Sequence, residues 1–355
     1  MKVLVTGICG FAGNTLAVEL LRQAPGLDLI GLDNLSRPGS ELNRQGWRAR
    51  GVRLVHGDIR NPSDLEALPA VDWVVDAAAN PSVLAGVRDQ TSSRQLIEHN
   101  LVGTINLLEF CKRVQCGLLM LSTSRVYSGR RLAGLPMEVR GDAFVPASRE
   151  LEQPGLTPRG VTEEFSTEPP LSLYGASKLA SEVLALEYAA AFELPVYVNR
   201  CGVLAGAGQF GRADQGIFSF WIHSYRRRRP LRFIGFGGTG HQVRDCLHPR
   251  DLVPLLLKQM HASGKNGGVV NVGGGADHAM SLAQLTGWCA HRFGPHDVGR
   301  DLEDRMYDVP WLILNSDRAE QVWGWRPATA LADILDEIGR HAESHPDWLE
   351  WSADS

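Results

Sequence analysis

The segment Lys2-Val-Leu-Val-Thr6, running into Gly7-Ile-Cys-Gly10-Phe-Ala-Gly13, constrains this chain more than any other stretch. A β-branched apolar run that breaks into glycines at three-residue spacing, and then into the periodicity of Ala12–Arg22, reads as buried strand, tight turn and helix. The absent side chains let the backbone turn sharply and come close to a ligand. The helix N-terminus adds unpaired N–H groups and the positive end of its dipole, which suits a pyrophosphate. A glycine triplet by itself more often only turns the chain. Here Asp33 stands twenty residues beyond Gly13, at the end of a second apolar run. A carboxylate there takes ribose hydroxyls and repels a 2′-phosphate, so the reading is a dinucleotide site for NAD rather than NADP. Arg37, in the polar loop that follows, reads as a solvated charge.

The pattern then repeats. Leu27–Asp33, Val52–His56, Val71–Asp76 and Gly117–Ser122 are further strand-like runs, and a helical pattern covers Arg94–Arg113. Such alternation predicts an α/β fold, a Rossmann-like doubly wound parallel sheet with helices on both faces. Another helix is expected over Tyr174–Phe192 and another strand over Leu194–Arg200. Beyond Cys201, helices near Gln215–Arg227, Arg250–Ala262, Ser281–Phe293 and Leu331–Glu343 mix with short strands such as Leu-Arg-Phe-Ile-Gly-Phe. The expected division is 1–200 as an NAD-binding domain and 201–355 as a smaller mixed substrate lobe, closely packed, with a return of the chain to the first domain left open. Within the first domain, 128–170 is punctuated by proline and glycine, lacks periodicity and reads as an irregular insert that covers a site or moves.

Composition excludes several classes. The net charge is −4, which offers no polyanion-binding surface, so no nucleic-acid partner is expected. No apolar run approaches the length of a membrane span, and Met-Lys-Val-Leu-Val-Thr-Gly turns into the glycine loop too soon for a signal peptide; a cytoplasmic protein is expected. The six cysteines show neither a Cys-x-x-Cys pair nor zinc spacing, and the eleven histidines are dispersed, so reduced thiols and no metal site are expected.

Chemistry is carried by Tyr174-Gly-Ala-Ser-Lys178. The i, i+4 spacing puts phenol and ammonium on one helix face. The lysine charge favours the phenolate and makes the tyrosine a usable base near neutrality. With six tyrosines and five lysines in 355 residues, chance predicts only about 0.08 such pairs. Ser122, Thr123 and Ser124 end the fifth strand, where the ligand crevice of a parallel sheet lies. Hydroxyls there are by themselves more often turn or cap residues. Asp58, after the third strand, fits either an adenine amino group or the cap of the next helix.

Taken together, these motifs resemble the extended short-chain dehydrogenase/reductases, over nearly the whole chain. Asn100, in His-Asn-Leu-Val-Gly-Thr, matches the family asparagine that kinks the long helix and supports the Tyr/Lys relay through water. Within the superfamily, the chain is similar to nucleotide-sugar epimerases, and most to the branch that inverts C2 of CDP-hexoses of the paratose/tyvelose type. The stretches that carry this are LDNLSRPG, HGDIR, STSRVY, GQFGRADQG, GHQVRDCLHPRDL, VVNVGGG and DVPWLILNSDR followed by GWRP.

The resemblance implies Thr123, Tyr174, Lys178 and Asn100 as the catalytic set. It implies NAD held by Gly7, Cys9, Gly10, Phe11, Ala12, Gly13, Asp33, Asn34, Asp58, Ile59, Ala77, Ala78 and Ala79, besides Tyr174 and Lys178. A nucleotide-diphosphate sugar, with CDP-hexose favoured, would be held by Ser82, Thr123, Ser124, Gln209, Phe210, Gln215 and Arg244. Arg244 suits a diphosphate through its guanidinium fork; a structural ion pair with Asp245 or Asp251 is the competing reading. A homodimer through the helices 94–113 and 174–192 is implied too.

The chain also departs from the pattern. Asp76 stands where many relatives have histidine, and Asn-Arg-Cys-Gly-Val-Leu-Ala-Gly-Ala-Gly lacks the tyrosine and serines of related strands. Both bear on the hexose more than on the chemistry. A UDP-hexose 4-epimerase would use the same residues. A 4,6-dehydratase needs an acidic pair after the threonine, where Ser124 and Arg125 stand here. A sensor that merely retained the fold predicts an eroded Tyr/Lys pair. The run Tyr225-Arg226-Arg227-Arg228-Arg229 reads as the solvated end of a helix rather than a phosphate site. Trp323 and Trp325 read as core packing.

Overall fold

The computed structural model describes residues 1–87, 92–147, 153–262 and 268–351. The chain divides into two compact units. The first comprises Met1–Thr123, Leu173–Arg200 and Pro249–Val270; the second comprises Ser124–Ser172, Cys201–His248 and Asn271–Ser355.

The first unit opens with β1 (Lys2–Thr6), α1 (Phe11–Gln23), β2 (Asp28–Asp33), α2 (Glu41–Ala49), β3 (Arg53–His56), α3 (Pro62–Glu66) and β4 (Trp73–Asp76). Next come α4 (Ser93–Ile97), a π-helical turn over Glu98–Val102, α5 (Gly103–Val114) and β5 (Gly117–Thr123). The long helix Leu173–Phe192 and the strand Val196–Cys201 follow after the second unit's first segment. The seven-stranded sheet runs, edge to edge, Val269–Val272, Val196–Cys201, β5, β4, β1, β2, β3. Pairings among β1–β5 are parallel. β1 lies between β2 and β4, so the chain crosses from one side of the sheet to the other there, and the crevice opens at the carboxyl ends of β1 and β4. This is the Rossmann-like α/β fold the alternation predicts. One core face collects Leu4, Val74, Leu107, Leu118, Met120 and Val196.

In the second unit, Val243–Leu247 pairs with Val203–Leu204 and Trp311–Leu312 in parallel and with Ala279–Ser281 antiparallel. Its core joins Phe218, Trp221, Ile222, Leu285, Ile334 and Ile338 from the helices Ile217–Arg226, Leu282–Phe293 and Leu331–Ser344. Ser281 caps the middle helix with a reciprocal Ser281/Gln284 box.

Several expectations need correction. The segment 128–170 is not irregular: it holds a helix at Gly129–Ala133 and two antiparallel ribbons, Met137–Arg140 with Ala143–Pro146 and Leu156–Thr157 with Gly160–Val161. Nor does it group with the first unit, since Ser124–Ser172 belongs to the second. The ribbons escape a periodicity search because their strands are only two to four residues long, too short to show an alternation, and a two-residue Gly141-Asp142 turn joins the longer pair. Partners distant in sequence hold them: Phe144 N–H donates to the His241 carbonyl at 2.9 Å, and Ser281 Oγ to the Asp142 carbonyl at 2.5 Å. Helices α2 and α3 lie in stretches the sequence reading left unassigned. The basic run after Tyr225 is not merely solvated: Arg227 pairs with Asp347, Arg229 with Glu350, and Arg228 donates to the carbonyls of Phe293, Gly294 and Pro295. Trp325 is buried, as core packing requires. All six cysteines are buried, and none of them forms a disulfide. Among the described residues, no helix is long and apolar enough to cross a membrane.

Candidate active site

The glycine loop spans the carboxyl ends of β1 and β4. Gly7 has φ +63°, and a Cβ there would stand 2.9 Å from Ala78 Cα and 3.0 Å from the Ala77 carbonyl. A Cβ on Gly13 would fall 2.2 Å from the Gly7 carbonyl. Only glycine admits this closeness at either position. Gly10 is the N-cap of α1, and no side chain caps that helix, so its first-turn N–H groups face the loop without a side-chain acceptor. Phe11 and Ala12 begin the helix. Asp33, ending β2, accepts from Cys9 N–H at 2.7 Å and from Leu35 N–H at 2.8 Å. Burial pushes the Asp33 carboxyl above its ordinary value, while the N–H donors of Leu35, Cys9 and Gly10 pull it back. Burial and the charge of Asp33 push the Cys9 thiol up to about 12, so it stays protonated. A cradle that a Cβ would fill, an uncapped helix start and a carboxylate at the end of β2 together fit the two phosphates and the adenosine ribose of NAD.

Asp58 is not a helix cap. Asn61 caps α3 by accepting from Ser63 N–H at 3.3 Å, while Asp58 takes the Arg60 guanidinium at 2.6 Å and Asn34 Nδ2 at 3.0 Å. These donors hold its carboxyl down at about 2 against the opposing effect of burial. Ile59 beside it is buried. Ala77, Ala78 and Ala79 follow β4, and Ala78 N–H donates to Thr6 Oγ at 3.2 Å. That hydroxyl in turn donates to buried Asp76 at 2.8 Å. Burial raises the Asp76 carboxyl, and the nearby Lys178 charge opposes the rise. Ser82 lies in the following turn, its hydroxyl accepting from Leu84 N–H at 3.2 Å.

Thr123 is the last residue of β5 and is buried. Tyr174 and Lys178 lie one turn apart on the helix Leu173–Phe192, both on the buried face with Ser177, Ser181 and Glu182. That helix packs on β5, on α5 and on the π turn. Asn100 sits within the π turn and is buried. Its Nδ2 donates to Ser177 Oγ at 3.2 Å and to the Asn80 carbonyl at 3.0 Å, and its Oδ1 accepts from Asn80 N–H at 2.8 Å. The widened turn frees the Asn100 carbonyl, which accepts from Thr104 Oγ at 2.7 Å and Ser181 Oγ at 3.1 Å. The Ser122 hydroxyl, one residue before Thr123, donates to Glu182.

In the second unit, Ser124 opens a 3₁₀ turn and lines a cavity of about 200 Å³ together with Arg125, Leu132, Leu171, Ser172 and Asp308. Gln209 donates from Nε2 to the Leu204 carbonyl at 2.8 Å, leaving its buried Oε1 without a partner among the described residues. Gln215 Oε1 is buried and unpartnered in the same sense. Phe210 stacks on Trp348 with ring centroids 5.1 Å apart. Arg244 has a carboxylate partner, but it is neither Asp245 nor Asp251: Nη2 meets Asp308 at 2.9 Å and the Val309 carbonyl at 2.8 Å, and Nη1 the Val243 carbonyl at 2.7 Å. Burial lowers the Arg244 pKa, the Asp308 carboxylate opposes that, and nearby Arg305 adds to the lowering. Arg305, whose Nη2 donates to the Ala213 carbonyl at 3.0 Å, brings a second guanidinium near Arg244, beside the Asp308 carboxylate. Arg305 and Asp308 escape the sequence reading because each matters through a partner more than sixty residues away; Glu182 was legible as the third member of an i, i+4, i+8 row with Tyr174 and Lys178.

A profile of the NAD-dependent epimerase/dehydratase family matches residues 3–273. The chain is 33% identical over 302 residues to CDP-paratose 2-epimerase of Salmonella typhi, covering 80% of this chain and 82% of that protein. It is 28% identical over 343 residues to UDP-glucose 4-epimerase of Mycolicibacterium smegmatis, covering 94% and 96%. The structure of UDP-glucuronic acid 4-epimerase from Bacillus cereus, in complex with UDP-glucuronic acid and NAD, superposes with a TM-score of 0.77 over 97% of this chain and 99% of that one. At 23% identity, that likeness is one of fold.

Proposed function

This chain belongs to the NAD-dependent epimerase/dehydratase family, and from that premise we propose that it inverts C2 of a CDP-hexose of the paratose/tyvelose type. Bound NAD supplies a reversible hydride acceptor. Tyr174, as phenolate, takes the proton from the sugar C2 hydroxyl, Thr123 orients that oxygen, and Lys178 holds the phenolate charge. The 2-keto sugar rotates about its link to the diphosphate, and Tyr174 returns the proton once the opposite face has been reduced. No second substrate enters and no net redox change results. Much of the acceleration comes from holding the reacting atoms at near-attack distance.

The observation that carries an epimerase over a dehydratase is the pair after Thr123. Ser124 and Arg125 offer no carboxyl to protonate a departing hydroxyl, and both line the 200 Å³ cavity. The identity with CDP-paratose 2-epimerase supports C2 and CDP. Relatives named as UDP-hexose 4-epimerases keep C4 inversion as the second reading, with the same residues and another sugar pose. Arg244 and Arg305 hold the diphosphate in either case, and Gln209, Phe210 and Gln215 the nucleotide side. A homodimer is part of this reading; Val183 and Phe192, exposed on the helix Leu173–Phe192, support it.

Proton NMR of the protein with CDP-tyvelose, CDP-glucose and UDP-glucose in heavy water tests the assignment. Inversion at C2 without deuterium entering the sugar is the expected result. Inversion at C4 transfers the protein to the second reading, and no turnover of any donor overturns the CDP-hexose assignment.

A further inference from the structure

Three buried polar side chains converge one residue before Thr123. Ser122, on β5, donates its hydroxyl proton to Glu182. Glu182 also receives the Arg200 fork: Nη2 meets Oε2 at 2.7 Å, and Nε lies 3.1 Å from each oxygen. Arg200 belongs to the strand Val196–Cys201, the immediate neighbour of β5 in the sheet. The side chains of Arg200 and Glu182 are 8% and 2% exposed, and Ser122 is buried as well. Glu182 stands one turn beyond Lys178 and two beyond Tyr174 on the same buried helix face. A single carboxylate therefore bolts the helix that bears Tyr174 and Lys178 to two adjacent strands, at the residue bonded to Thr123.

Stability alone does not call for this arrangement, because well-packed apolar side chains commonly replace a buried ion pair without loss. Apolar packing lacks direction, however. A bidentate fork and a hydroxyl hydrogen bond on one carboxylate fix both the rotation of the helix and its height on the sheet. Catalysis by a threonine on a strand and a tyrosine on a helix depends on that height, since a misplacement of about 1 Å costs about a hundredfold in rate.

We propose that Ser122, Glu182 and Arg200 form a positioning device that sets where Thr123 stands against Tyr174 and Lys178; the proposal rests on the catalytic roles given above. None of the three touches substrate, so all are positioning residues.

The test begins with Ser122→Ala, which removes one hydrogen bond and keeps the ion pair, so folding is retained. On the sugar nucleotide that the wild type turns over, kcat is expected to fall about tenfold while KM, NAD affinity and Tm stay near wild type, and Ser122→Thr restores the rate. Arg200→Lys, which keeps the charge and loses the fork, is expected to lower kcat in the same way. Wild-type kcat in Ser122→Ala, or no rescue by Ser122→Thr, overturns the proposal. A wild type inert towards every donor is instead a failure of the functional reading. A sugar-free measurement then decides: the ultraviolet titration of Tyr174 in the NAD-loaded protein, taken as the difference from Tyr174→Phe. A displacement of about half a pH unit in Ser122→Ala, reversed in Ser122→Thr, supports the device, and an unmoved titration overturns it.

Discussion

Asn100 donates from Nδ2 to the Ser177 hydroxyl across 3.2 Å, pinning the π turn of one helix to the helix that carries Tyr174 and Lys178. The same amide exchanges two hydrogen bonds with the Asn80 backbone, on the segment that leaves β4. One side chain thus joins three segments around the cofactor crevice of the first unit. Asn100→Ala removes all three contacts and strands buried backbone groups. Urea unfolding is expected to show a loss of about 2–3 kcal/mol. An unchanged unfolding midpoint would sink this account of the turn.

Asp33 both shapes the glycine loop, through Cys9 N–H, and presents a carboxylate at the end of β2. Asp33→Ala is expected to weaken NAD binding about tenfold and to narrow the preference over NADP about a hundredfold, since repulsion of the 2′-phosphate disappears with the charge. Calorimetric titration with both cofactors reads the two effects. A preference that survives the substitution would assign discrimination to another group.

Arg244 combines a structural pair with a proposed diphosphate role. Arg244→Lys keeps one charge and loses the fork. The expected signature is a KM for the sugar nucleotide raised about tenfold with NAD affinity unchanged. Because the site is partly buried and Asp308 loses much of its partner, a stability loss of roughly 1–3 kcal/mol accompanies it. Equal effects on KM and NAD affinity would mean that the substitution disturbs more than the anion site.

Buried titratable groups give the second unit opposing pH dependences. Burial raises the Asp245 carboxyl to about 6, partly offset by backbone N–H groups including those of Gly275 and Leu314. Its folded value exceeds its unfolded one, so its contribution is fully present below about pH 4 and is lost as pH rises through about 6. A shift of that size is worth about 3 kcal/mol, and Asp245→Asn is expected to flatten the stability profile across this window. His223 and His341, whose rings meet at 3.2 Å, run the other way. Burial and the neighbouring histidines lower them to about 3 and about 4. Stability from that pair is present above about pH 6.5 and is lost as pH falls through the lowered values, so His341→Asn is expected to soften acid unfolding. Denaturant midpoints from pH 3 to 8 for wild type and both variants separate the two contributions, and superimposable profiles would contradict both assignments.

What the sequence determined by itself is local. The run Lys2–Thr6, the glycines at 7, 10 and 13, the alternation through β5 and the spacing of Tyr174 from Lys178 sufficed for the Rossmann-like fold, the NAD cradle and the candidate catalytic pair. Each is a short-range pattern of backbone geometry, legible within a few residues. Tertiary structure alone decided the rest. Arg244 finds Asp308 rather than Asp245 or Asp251, Ser122 turns to Glu182 while Thr123 ends the strand, and 124–172 joins the second unit. The reason is physical: periodicity records which face of an element is apolar, whereas a buried charge takes whichever partner packing brings within about 3 Å, and no spacing along the chain encodes that choice.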